Sequence, residues 1–340
     1  MKSILKDSSI AFLESYLNNA SPTGYESEGQ KLWMNYLKPY VDTFITDNYG
    51  TAVGVINQDA PFKVVIEGHS DEISWYVNYI TDDGLIYVIR NGGSDHQTAP
   101  SKRVNIHTKK GIVRGVFGWP AIHTRIAGKE ETAKVENIFI DCGCISKEEV
   151  EKKGIHVGCV VTFVDEFMTL NDRYYVGRAL DNRAGGFMIA EVARLLKNIP
   201  TEYSIKFINF SGEEDGLIGS QNFVSTVVNG TNPKMDIKLV FNIDEVGGRA
   251  DMINDTITCE RDTGSPTSNN AASNTVTNEL INCVRLYSPL NTFLSYAYAS
   301  DYMPFEDNNE IITGFFEKNE TPHRHKATDL LINMDPVYVY

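Results

Sequence analysis

At 340 residues the chain has room for one large α/β domain or for two domains, and its 42% hydrophobic content is that of an ordinary globular protein. Its 45 acidic against 31 basic residues leave a formal charge of −14, which argues against a nucleic-acid partner, because phosphate contacts need a basic face. The first residues lack a signal-peptide core, and no apolar run approaches the ~18 residues of a membrane span. No membrane partner is therefore expected. The five cysteines show no zinc-ribbon spacing and read as reduced, mostly buried thiols of a cytoplasmic protein. Cys142-Gly143-Cys144 is a CxC with no second pair to match it.

In chain order, Ser8 to Asn19 and Ser27 to Leu37 carry apolar residues at helical spacing, separated by a turn at Ala20-Ser-Pro-Thr-Gly24. Thr43 to Ile56 alternates like an antiparallel hairpin broken at Asn48-Tyr49-Gly50. Phe62 to Ile66 reads as a buried central strand that runs out into Glu67-Gly68-His69-Ser70-Asp71-Glu72. From about Ile73 to Phe163 the texture changes to short β pieces, at 74–80, 85–89, 111–117, 137–140 and 159–163, with one short helix at 147–153. This predicts an all-β module inserted into a larger α/β domain, with 73–164 as the insert and 1–72 plus 165–340 as the host. His96 and His107, within it, are expected at the surface.

Beyond the insert, Gly177-Arg178-Ala179-Leu180-Asp181-Asn182-Arg183 leads into an apolar helix over 187–196. Tyr203 to Phe210 is a buried strand ending in Ser211-Gly212-Glu213-Glu214-Asp215-Gly216, and a helix follows over 220–228. Ile237 to Ile243 is a further buried strand ending in Asp244-Glu245. A polar loop at 264–274, a helix at 275–286, a loop at 300–305 and a last strand at 310–316 complete the chain. Pro322-His323-Arg324-His325 comes after them. The pattern predicts a mixed, mostly parallel α/β sheet flanked by helices.

His69, Glu213, Glu214 and Asp244 each follow a buried apolar run, and open α/β sheets bind ligands outside the carboxyl ends of their strands. Each motif has a plainer reading alone. A Glu-Glu pair suits a solvated acidic loop, a His after a strand is commonly structural, and an Asp at a helix start is by default a cap. Together, His, Asp, Glu, Asp and a late His make the donor set of a two-metal site. One carboxylate bridges two ions, and the spare glutamate serves as base.

These residues carry a resemblance. Gly68-His69-Ser70-Asp71-Glu72, Gly177 to Gly185 and Glu213-Glu214-Asp215-Gly216-Leu217-Ile218-Gly219 are similar to the motifs of the M42 dinuclear metallo-aminopeptidases. So are Gly115 to Gly118 with Pro120 to His123, and Ile140 to Gly143 with Ile155 to Gly158. The C-terminal segment, with Ser300-Asp301 and the late histidines, resembles M28 instead. The resemblance implies a zinc-peptidase-like catalytic domain with a barrel-like insert serving as lid or assembly surface. It implies two divalent ions, Zn²⁺ or Co²⁺, and peptide substrates with a free N-terminus. His69 and Asp244 would hold the first metal, Glu214 and His325 the second (with His323 the alternative), and Asp181 would bridge them. Glu213 would be the general base and Asp71 would orient His69. It further implies a homo-oligomer, dimers building a hollow dodecamer. A deacylase using the same chemistry and an endoglucanase are the alternative activities.

Overall fold

The computed structural model describes residues 5–129, 131–164, 167–171, 174–230, 235–244, 246, 256–262, 279, 282–283, 286, 291–296, 300–306 and 312–317. Two N-terminal helices, α1 (Asp7–Asn18) and α2 (Ser27–Leu37), bury stripes that include Phe12, Leu13, Tyr16, Leu17 and Trp33. Strands β1 (Thr43–Thr46) and β2 (Ala52–Ile56) form the expected hairpin, and β3 (Lys63–His69) follows. The next strands are β4 (Ser74–Ile80), β5 (Ile86–Asn91), β6 (Arg103–Thr108), β7 (Gly111–Gly118), β8 (Phe139–Asp141) and β9 (Val160–Phe163), with α3 (Lys147–Lys152) before β9. They close into a barrel in the order β4-β5-β8-β7-β6-β9, every pairing antiparallel.

A two-stranded ribbon, β10 (Met168–Leu170) and β11 (Tyr174–Val176), precedes the long helix α4 (Leu180–Leu196). Then come β12 (Ser204–Phe210), α5 (Ile218–Phe223) with a π turn at Val224–Val228, and β13 (Ile237–Ile243). Strands β14 (Thr256–Asp262) and β15 (Asn291–Tyr296), the short helix α6 (Met303–Glu306) and β16 (Ile312–Glu317) complete the described elements. The main sheet runs β1-β2-β12-β3-β13-β16-β14-β15. Its centre, β12-β3-β13-β16, is parallel, while β2 joins β12 and β14 joins β16 antiparallel.

All seven residues of β12 are buried, because helices cover both faces of the sheet. Ile205 and Phe207 point into the cluster of α1, α2 and α4, against residues such as Phe12 and Phe187. Ile208 and Phe210 point the other way, against Phe223, Val224 and Phe305. Each such side chain contributes roughly 1.5–3 kcal/mol when fully buried. The barrel has its own core around Trp75, Ile106, Phe117 and Ile140.

Several expectations change. The strand predicted over 62–66 continues through His69, because Glu67 and Gly68 stay laddered to Ile208 and Asn209. Strand β6 was hidden by its polar alternation, and only Val104 and Ile106 are fully buried in the barrel. Helix α4 begins well before residue 187. The loop predicted over 300–305 turns helical from Met303. His107 is half-buried, its Nε2 sitting 2.9 Å from Thr162 Oγ1, and His96 lies against the Arg90 guanidinium. The loop at 264–274 and most of the helix at 275–286 fall outside the described residues, as do Glu245, His323 and His325. Among the described residues no helix is long and apolar enough to cross a membrane.

Candidate active site

Parallel register brings the strand ends together. His69 is the last residue of β3 and lies opposite Phe210, the last of β12. Glu213 and Glu214 therefore leave the sheet beside His69. Asn242 of β13 lies opposite Glu67, and Asp244 follows directly after that strand. Asp181 arrives from α4. Ala179, at φ +58°, turns the chain, and Asp181 and Asn182 are non-helical before the helix settles.

Two glycines make this approach possible. A Cβ on Gly68 would stand 2.8 Å from the Ile243 carbonyl oxygen and 2.9 Å from Asn182 Nδ2. A Cβ on Gly185 would stand 2.6 Å from that same oxygen and would overlap Asn182 Oδ1. Asn182 itself is buried and donates to the Ile243 carbonyl at 2.8 Å, which ties the start of α4 to the end of β13.

His69 Nε2 is 3.2 Å from Asp181 Oδ1, 3.6 Å from Asp244 Oδ1 and 3.6 Å from Glu213 Oε2. Ligand atoms held about 2.0–2.2 Å from a tetrahedral zinc lie roughly 3.3–3.6 Å from one another. The distances from His69 to Asp181 and to Asp244 thus have about that length, and the three ligand atoms lie within 4.8 Å of one another. Among the described residues two donor groups share His69: His69 with Asp181 and Asp244, and His69 with Glu213 and Glu214, the ligand atoms of each lying within 4.8 Å of one another. Four of these residues are carboxylates, set in a largely buried place. Such a concentration of negative charge is unfavourable unless cations compensate it. Deeper still, Asp301 and Glu67 are fully buried, and among the described residues neither Asp301 carboxylate oxygen nor Glu67 Oε2 meets a hydrogen-bond donor in bonding geometry. The donor set fits divalent cations.

The electrostatics follow from crowding. Burial alone would lower the His69 pKa, but the charges of Glu213 and Asp244 and the Asp181 hydrogen bond raise it well above its usual value. Burial pushes the Glu213 carboxyl well up; the His69 charge pulls the other way, and Asp244, Asp301 and Asp181 add to the rise. Asp301 is pushed up to about 7, chiefly by burial. Burial also works against ionised Asp71, yet the hydrogen bond and charge of His69, the Thr23 hydroxyl and the Glu213 amide hold it below the usual carboxylate range.

Asp71 does more than face His69 Nδ1 at 3.3 Å. Its two oxygens accept the amides of Glu213 and Glu214, each at 3.1 Å, and the Thr23 hydroxyl at 2.8 Å. Glu26 Oε1 accepts the preceding amide, Gly212 N–H, at 3.2 Å, together with Gly24 N–H at 2.9 Å. Two buried carboxylates therefore clamp three successive amides of the glutamate turn. Glu72 joins Arg178 and Arg183 in a buried ion cluster, with Arg183 Nη2 2.6 Å away. This pins the segment that carries Asp181. Ser300 Oγ donates to Asp244 Oδ2 at 2.6 Å. Glu26, Thr23, Glu72 and Glu67 were missed as site residues. Glu67 and Glu72 flank His69 within one acidic stretch, a signal that was present, whereas nothing local marks Glu26. The barrel also reaches the site, since a Cβ on Gly92 would stand 3.2 Å from Glu214 Cβ.

Known proteins resemble this chain in sequence and fold. The chain is 32% identical over 214 residues to the putative aminopeptidase FrvX of Escherichia coli, covering 62% of this chain and 59% of that protein. It is 29% identical over 212 residues to the lysyl aminopeptidase of Pyrococcus furiosus, covering 62% and 60%. The alignments thus span about 60% of the length of these curated relatives. Among solved structures, a TET aminopeptidase from the marine archaeon Thaumarchaeota archaeon SCGC AB-539-E09 superposes with a TM-score of 0.81 at 21% identity, covering 92% of this chain and 88% of that one. The TET1 peptidase of Pyrococcus horikoshii, which assembles into a tetrahedron or a large octahedral shell, superposes at 0.73 with 21% identity, covering 91% and 90%. These two share the fold. The model of peptidase family M28 matches residues 167–338, in keeping with the M28-like C-terminal motifs. The M42 glutamyl aminopeptidase model matches residues 50–248, more than half of the chain and the stretch that supplies His69, Asp181, Glu213, Glu214 and Asp244, so this protein belongs to the M42 family.

Proposed function

We propose that the chain is a metal-dependent aminopeptidase that removes the N-terminal residue of peptides. The carrying observation is the His69–Asp181–Asp244 group, whose ligand atoms lie within 4.8 Å of one another, with Glu213 Oε2 3.6 Å from the same imidazole nitrogen. In this reading His69, Asp244 and Asp181 hold one ion, and Asp181, Glu214 and His325 hold a second, with His323 the alternative to His325. Bound zinc or cobalt supplies the polarisation of the scissile carbonyl and the lowered pKa of the attacking water. Asp71 fixes the His69 ring by facing Nδ1 and leaves Nε2 directed at the carboxylates. Glu213 takes the proton of the water and passes it to the leaving amine. A general base in this reaction must both accept and return a proton, and burial shifts the Glu213 carboxyl upward, in the direction that favours returning it. The free α-amine of the substrate would bind at the second metal or to a carboxylate, which restricts cleavage to free N-termini. We propose the 73–164 barrel as an inserted lid or assembly domain in a cytoplasmic homo-oligomer.

The test is release of the N-terminal residue from a panel of peptides, with and without a chelator, and with Zn²⁺ or Co²⁺ restored. Activity should vanish on chelation, return with metal and be absent on N-acetylated peptides. Cleavage of acylated substrates alone would replace this reading with a deacylase, and chelator-resistant cellulose hydrolysis with an endoglucanase. Glu213→Gln should retain metal and lower kcat by roughly 10²–10⁴. A variant that remains active would remove Glu213 from the role of base.

A further inference from the structure

The CxC motif lies in the barrel, away from the glutamate turn, and aminopeptidase chemistry leaves it unexplained. Strand β8 ends at Asp141, whose Oδ1 accepts the Gly143 amide at 2.7 Å. Gly143 takes φ +75°, and a Cβ there would meet none of the described residues within 4 Å. The turn folds the flanking side chains toward each other, leaving Cys142 Sγ and Cys144 Sγ 3.6 Å apart. Cys144 is buried in the barrel core at 7% exposure. Cys142 is half-exposed and lines a cavity of about 930 Å³ between the barrel and the β10–β11 ribbon, beside Arg103 and Arg114. Packing fixes the turn on its other side, where the Cys144 carbonyl lies 2.7 Å from the position of a Cβ on Gly84 and Lys147 N–H donates to the Asp82 carbonyl.

We propose that Cys142 and Cys144 form a reversible dithiol–disulfide site that exchanges with low-molecular-weight disulfides reaching it through this cavity. The covalent geometry allows the bond. Two residues span at most about 7 Å, and the turn shortens that reach toward the roughly 4.4–6.8 Å between Cα atoms of bridged cysteines. The sulfurs need to approach by only about 1.5 Å to reach bonding distance near 2.05 Å. A bridge over one intervening residue closes almost no chain loop, so it adds little stability. A bond of this kind falls in the labile, reducible class rather than the structural one.

The exchange balances. The half-exposed Cys142 thiolate attacks one sulfur of glutathione disulfide, a Cys142–glutathione bond forms, and the first glutathione thiolate leaves. Cys144 Sγ then attacks Cys142 Sγ, the mixed disulfide breaks, and the second glutathione thiolate leaves. The two protons from the cysteines end on the two glutathiones, and the protein is oxidised by two electrons. Burial, and then the hydrogen bond with Cys144, push the Cys142 thiol up to about 11. Thiolate is therefore scarce at neutral pH, and the rate should rise about tenfold per pH unit from 7 to 9.

The experiment equilibrates the full-length protein in reduced and oxidised glutathione at graded ratios, quenches with acid, labels free thiols with a maleimide and weighs the tryptic fragment 135–147. That fragment holds both cysteines and no other. Expected is loss of both labels together, with a fragment lighter by two hydrogens, reversed by reduced glutathione. In Cys144→Ser, oxidation should stop at one glutathione on Cys142. The proposal is overturned if both thiols remain labelled at every ratio, if the wild type stops at a single glutathione on Cys142, or if either cysteine pairs with Cys159 instead.

Discussion

The clamp on the glutamate turn makes an unusual demand of Glu26, which is 5% exposed yet accepts two amides with a single oxygen. Burial, and then the charge of Asp71, raise its carboxyl from 4.5 to about 7. A folded-state pKa above the unfolded one means stability that is whole below about 4.5 and falls away as pH rises through 7. The loss is about 2.5 pKa steps of 1.36 kcal/mol each, or about 3 kcal/mol by pH 8. Glu26→Gln keeps an oxygen acceptor and removes the ionisation. It should match wild type at pH 4.5 and exceed it by about 3 kcal/mol at pH 8. At an unfolding entropy of about 2.1 cal/mol/K per residue, that is about 4 °C in Tm for a chain of this length. Glu26→Ala should instead lose stability at both pH values, because the buried Gly212 amide is orphaned at a cost of about 1–3 kcal/mol. The assay is thermal unfolding of the chelated protein across pH 4.5–8. A Glu26→Gln gain that does not grow with pH, or a loss at both ends, would refute the reasoning.

The remaining predictions use the same geometry. Glu72→Gln leaves Arg178 and Arg183 buried around a neutral partner and should destabilise by about 3–5 kcal/mol, read as a Tm shift. Gly68→Ala drives a methyl against the Ile243 carbonyl and Asn182. It should cost about 1–3 kcal/mol and weaken metal binding by separating β3 from Asp181, both measurable by calorimetry. His325→Ala should reduce bound metal from two ions to one per chain while His323→Ala keeps both, as counted by elemental analysis; the opposite result would reassign the second metal's histidine.

Much of the site was legible because the signal is local. Buried strands read as continuous apolar runs, and a polar residue directly after such a run stands at a sheet edge whatever its neighbours are. That places His69, Glu213, Glu214 and Asp244 before any contact is known. Strand β6 was not legible, because Arg103, Asn105 and His107 alternate with only two fully buried residues and the rest of its environment comes from β7 and β9. Asp181 reads equally well as a helix cap, and its 3.2 Å approach to His69 exists only because Gly68 and Gly185 admit α4 so close to β3.

The sequence by itself determined the fold class and the candidate donors, because the periods of helix and strand and the chemistry of side chains are properties of short segments. Only the tertiary structure decided the spatial relations. It set β12, β3 and β13 side by side in parallel register, put Glu26 and Asp71 beneath three successive amides, and buried Glu67 and Asp301 behind the site. Those contacts join residues far apart in the chain, and long-range register is settled by packing and backbone pairing, which no local pattern records.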